Sequence, residues 1–135
     1  MEEIIEFLRE NNELISTPLD LPSHDDLVEI EEAILMPLPY DYREFLLEVS
    51  DVVYGRIEPA TAADPRSHTY LAEMTSVAWD SGLSREYVPI CEYDGGYACI
   101  TQDGKIVFWN RNDFLSEEWE TIWHWVRDVW VNKNI

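Results

Sequence analysis

Two cysteines, three histidines and 28 carboxylates are the side chains of this 135-residue chain with reactive or metal-binding chemistry to offer. Cys91 and Cys99 lack the C-x-x-C spacing of a redox or zinc pair, and their alternation with Ile90 and Ile100 suits strand residues, so buried free thiols are expected. His24, His68 and His124 stand far apart, without the i, i+4 partner usual in a zinc or iron site, so no metal site is expected and none of them is given a role. A nucleophilic serine would need an elbow such as G-x-S-x-G beside a base, and that pattern is absent. The five glycines fall at turns and one helix end, not in a phosphate- or dinucleotide-binding loop, so no cofactor is implied. Two carboxylates meeting in a cleft would make a general acid and base. Among 28 acids, however, chance proximity is expected, and a pair gains meaning only when buried with a raised pKa.

Charge points to binding instead. With 28 acidic and 9 basic residues the formal charge is −19, which repels nucleic acid and anionic membrane and argues against direct binding to either. Solubility of a small domain asks for a magnitude of only about 2 to 8, so the excess carries a self-repulsion that a basic partner would relieve. The imbalance is uneven: residues 1–51 hold 15 acids and 2 bases, net −13, and residues 52–135 hold 13 acids and 7 bases, net −6. Four of the six tryptophans lie between Trp119 and Trp130. In so acidic a chain a base-stacking platform fails, and at helical spacing most of them read as core. Trp125, off the main stripe, is expected at the surface as a candidate contact.

Hydrophobic residues at 46% and aromatics at 13% supply an ample core. The acidic start, Met-Glu-Glu-Ile-Ile-Glu, does not suit a signal peptide, and no apolar run approaches the roughly 20 residues of a membrane span, so a cytoplasmic location is expected. Ile4, Leu8 and Ile15 recur at helical spacing and predict an amphipathic helix over 2–15, before Pro18 and Pro22. Ser23 with Asp26 three residues on opens a helix over about 23–34, and Leu38, Tyr42, Phe45, Leu46 and Val49 mark the clearest helix of the chain. Residues 52–58 suit a turn into a first strand, 59–67 a loop, and 71–78 a short helix ended by Gly82. Strands are expected over 87–91, 97–101 and 106–110, joined by turns at Asp94-Gly95-Gly96 and Asp103-Gly104, and a last helix from Ser116. The order predicts a single α+β domain over 1–135, a central antiparallel sheet flanked by helices.

The run Ile30-Glu31-Glu32-Ala33-Ile34, then Leu38-Pro39-Tyr40-Asp41-Tyr42-Arg43-Glu44-Phe45-Leu46-Leu47 and Val53-Tyr54-Gly55, resembles the opening signature of the SUKH superfamily, the Smi/Knr-like proteins. Tyr87 to Gly96 is similar to its central strand and glycine turn, and residues 97–109 to the hairpin that follows, so the resemblance covers about residues 23–130. It implies an α+β fold and no enzymatic activity. Many bacterial members are immunity proteins that neutralise toxin domains, often nucleases, and fungal members regulate cell-wall synthesis through protein contacts. A nuclease surface is basic because it holds phosphates, so an acidic inhibitor gains steering against it. The leading expectation is therefore a cytoplasmic immunity-type protein that binds a basic toxin domain, with no direct nucleic-acid or membrane partner. The alternatives are a regulatory scaffold and a carboxylate-based hydrolase. Tyr54, Glu58, Asp64, Asp94 and Tyr97, on loops or strand ends around the expected sheet, are the candidate partner contacts.

Overall fold

A computed structural model of the chain describes residues 2–133. Its sheet is a four-stranded antiparallel meander, β1 Val88–Tyr93, β2 Gly96–Ile100, β3 Ile106–Trp109 and β4 Phe114–Trp119, with spatial order following chain order. Tight turns return each strand beside the last. Between β1 and β2, Asp94 and Gly95 take φ of 49° and 77°, a region that asparagine, aspartate and glycine tolerate. Gly96 serves a different need, because a Cβ there would collide with the Trp109 carbonyl oxygen and lie 2.9 Å from Asn110 Cα. Pro89, which lacks the N–H a ladder requires, stands at a register shift on the outer strand β1.

Among the described residues five helices accompany the sheet: α1 Glu2–Glu10, α2 His24–Ile34, α3 Tyr40–Val49, α4 Leu71–Asp80 and α5 Ile122–Trp125, which widens into a π-helical stretch, Val126–Val131. The expected capping box is present. Ser23 Oγ accepts from Asp26 N (3.1 Å) and Asp26 Oδ2 from Ser23 N (2.8 Å), satisfying two backbone donors that the helix start leaves over. One face of the sheet (Val88, Ile90, Ile100, Ile106, Phe108) shares a core with Leu27, Ile30, Phe45, Leu46 and Trp130 of the helices. The other face, through Tyr97, Cys99, Val107 and Trp109, packs on Ala78 and Leu83.

Four expectations are corrected. Helix α1 stops at Glu10, not 15, because two asparagines divert the backbone: Asn11 Nδ2 donates to Phe7 O (2.8 Å) and Asn12 Oδ1 accepts from Val53 N (2.8 Å). Residues 52–58 join no sheet, and only single bridges form, Tyr54 with Ile57 and Pro59 with Cys91. Ser116 lies exposed inside β4 and starts no helix. A turn at 110–113 sets this up: Asn110 Oδ1 accepts from Asn112 N (3.0 Å) and Asp113 N (2.8 Å), and the chain returns along β3. The helix begins instead after Thr121, whose hydroxyl accepts from His124 N (3.3 Å). Finally, Trp125 is fully buried, its Nε1 donating to Tyr93 OH (3.1 Å).

Candidate functional site

Glu13, which the helical pattern placed in α1, belongs instead to a clasp. Its N–H donates to Val53 O (2.8 Å) and its Oε2 accepts from Gly55 N (2.9 Å), alongside the Asn12 to Val53 bond. The clasp lays the proline-broken segment after α1 beside the connection from α3 to the sheet. That connection is held in turn by Ala60 N donating to Ile90 O (2.8 Å), Thr61 N donating to Thr69 O (2.8 Å) and the paired hydroxyls of Thr61 and Thr69 (2.9 Å). Between the two segments lies a cleft of about 390 Å³.

Its walls are apolar, from Ile15, Leu19, Val52, Ile57 and Pro59. Its ionisable lining consists of Asp20, Glu58, Asp64 and His68. Asp64 Oδ1 accepts from Arg66 N (2.9 Å), which fixes the carboxylate in a local turn. Glu58 Oε2 lies 3.5 Å from His68 Nε2, both side chains largely exposed, so the contact carries little energy.

The five candidate contacts fall in three places. Glu58 and Asp64 share the cleft. Tyr54 is half-buried: its ring meets Phe7 edge-on (centroids 5.6 Å apart) and its carbonyl accepts from Trp130 Nε1 (3.1 Å). Asp94 is exposed at the β1–β2 turn, and Tyr97 beyond it is only 2% exposed, stacked on Trp109 with the Arg111 guanidinium 5.1 Å over its ring. Arg111 also pairs with Glu92 (2.6 Å) and donates to Gly95 O (3.1 Å), so one of the two acids at this hairpin end, Glu92, is paired. Sequence reasoning missed Asp20, His68, Ile15 and Leu19 as neighbours of Glu58. The signal available was Pro18 and Pro22, which demand an extended segment there.

Charge is distributed as the sequence indicates. Of the two bases in residues 1–51, Arg9 makes a two-point contact with Asp51 and Arg43 pairs with Glu31 (2.8 Å). Both therefore pair within the acidic segment. Burial drives the largest proton-affinity changes elsewhere: the Cys99 thiol is pushed up to about 12, and the Cys91 thiol and the Tyr42 and Tyr93 phenols are also pushed up. Both thiols are free and buried. Among the described residues no group of three His, Cys, Asp or Glu is placed to hold a metal ion, and no helix is long and apolar enough to cross a membrane.

Fold and cleft together define the class: a small acidic α+β domain, an antiparallel meander with its helices, carrying an acid-rimmed apolar cleft. The family model described as SMI1-KNR4 cell-wall, SUKH_5, matches residues 1–131, and the chain belongs to this family. Among solved structures it is similar to a protein from Pseudomonas syringae pv. tomato, at 51% identity and a TM-score of 0.92, over 96% of this chain and 97% of that one. No curated protein matches it significantly.

Proposed function

We propose that this protein is a non-enzymatic binding domain, an immunity-type protein that occludes a basic, nuclease-type toxin domain in the cytoplasm. One observation carries the reading: residues 1–51 bear a net charge of −13, and both of their bases, Arg9 and Arg43, pair with acids of that same segment. All 15 acids of this segment are exposed or half-buried, so its excess negative charge reaches solvent, where it accelerates encounter with a positive surface and repels nucleic acid. Family membership supports a role exercised through protein contacts. The family's cell-wall description supports a second reading, a regulatory scaffold that engages a partner other than a toxin.

Affinity capture from the native host at low salt tests the first reading. A specific basic protein should be retained and released as ionic strength rises past the range where the screening length falls below about 8 Å. Retention of no such protein, or retention indifferent to salt, overturns it. Co-expression separates the two readings, since only an immunity protein rescues cells from the toxin domain it binds.

A further inference from the structure

We infer that the cleft between residues 15–20 and 57–69 seats a single basic anchor side chain, arginine or lysine, projected by the protein partner. The inference rests on the partner-binding reading above and adds to it a place and a recognition chemistry. Three properties of the cleft select that occupant. Its walls, Ile15, Leu19, Val52, Ile57 and Pro59, are aliphatic and match a methylene stem. Its acids are Asp20, Glu58 and Asp64, the exposed His68 imidazole stands 3.5 Å from Glu58, and among the described residues no lysine or arginine lines it. An anion would face three carboxylates, and a purely apolar group would desolvate them without compensation. A small hydrated cation would leave the walls unfilled. A long side chain with an apolar stem and a cationic tip satisfies both halves.

The cleft is also built in advance of binding. One wall is clasped by Asn12 and Glu13 to Val53 and Gly55, at 2.8 to 2.9 Å. The other is pinned by Thr61 and Thr69 and by the turn at Asp64. Little ordering is left for the partner to impose, which favours an anchor side chain entering a ready pocket.

The test uses the full chain, labelled with nitrogen-15, titrated with acetyl-Gly-Arg-Gly-amide and with the same peptide carrying norleucine in place of arginine. The arginine peptide should give saturable shifts centred on the amides of 15–20 and 57–69. Norleucine should bind at least about tenfold more weakly, the loss expected when a charge-assisted contact is removed. The double variant Glu58→Gln with Asp64→Asn, which keeps shape and removes charge, should weaken the arginine peptide by a similar factor. Ala63 also lines the cleft, and Ala63→Leu, which fills it and keeps charge, should abolish the shifts. Shifts spread over the acidic faces of α1 and α2, equal binding of norleucine, or no effect of either variant would overturn the inference. Capture from the host separates this failure from failure of the parent reading. If the wild type and both variants retain the same salt-sensitive basic protein, the cleft is excluded and partner binding stands. If none retains one, the parent reading falls.

Discussion

Tyr42 is fully buried and Tyr93 half-buried, and burial opposes the ionisation of both phenols, yet removing their hydroxyls has different consequences. Tyr93 OH accepts the indole N–H of Trp125, a fully buried side chain. Tyr93→Phe strands that donor and should cost about 1–3 kcal/mol. The Tyr42 hydroxyl is buried and has no hydrogen-bond partner among the described residues. Tyr42→Phe removes a desolvated polar atom and should be neutral or stabilising, within about 1 kcal/mol. Urea unfolding of the two variants side by side checks this; a larger loss for Tyr42→Phe than for Tyr93→Phe would show the pairing to be wrong. At this scale the sequence misplaces Trp125. A single-stripe reading assigns a helix one buried face, whereas Ile122, Trp123, Trp125, Val126, Val129 and Trp130 are all buried. This last helix packs on more than one side.

At the scale of elements, the segment between β3 and α5 shows how a local helix signal loses to a turn. Ser116 followed by two glutamates suits a helix start, but the turn at Asn110–Asp113 has already delivered the chain into pairing with β3, Val107 opposite Glu118 and Ile106 opposite Trp119. The cap role belongs to Thr121. Thr121→Ala should therefore lower stability by about 1 kcal/mol, whereas Ser116→Ala, on an exposed outer strand, should change it by less than about 0.5 kcal/mol. Thermal melts of both variants discriminate, and the reverse order would restore the helix to residue 116. The hairpin that the sequence does show, β2 with β3, was legible because a two-residue Asp-Gly signal and flanking apolar runs are local. The second glycine of Gly95-Gly96 was legible only as part of a turn. Its reason, contact with the backbone of Trp109 and Asn110, belongs to pairing across the sheet.

Across the whole molecule, burial of thiols and phenols sets an alkaline limit to stability. In the unfolded chain cysteines lose protons near about pH 8.5 and tyrosines near about 10. In the folded chain the Cys99 thiol holds its proton to about 12, and Cys91, Tyr42 and Tyr93 are likewise raised. Above the unfolded values the unfolded state binds fewer protons than the folded one, so raising the pH favours unfolding. The contribution is intact below about pH 8 and is lost progressively as pH rises toward the folded values. The urea midpoint should fall steadily between about pH 8.5 and 11, and Cys99→Ala should flatten the fall even if it lowers the midpoint at pH 7. A midpoint flat across that range would remove the argument. Self-repulsion among 28 acids and 9 bases acts beside this limit and is relieved by salt or by a basic partner.

By itself the sequence determined the α+β class, the capped helix at Ser23, the central hairpin and the sign and lopsidedness of the charge. Each of these rests on periodicity, capping chemistry or composition, which short stretches of chain carry within themselves. Only the tertiary structure decided the cleft. Its acids come from Asp20 on one segment and Glu58 and Asp64 on another, and what joins them is a clasp from Asn12 and Glu13 to Val53 and Gly55, contacts between residues 40 to 42 positions apart that no local pattern records. The candidate contacts Glu58 and Asp64 converge there, while Tyr97 stacks inward on Trp109, because burial is settled by what the rest of the chain brings alongside.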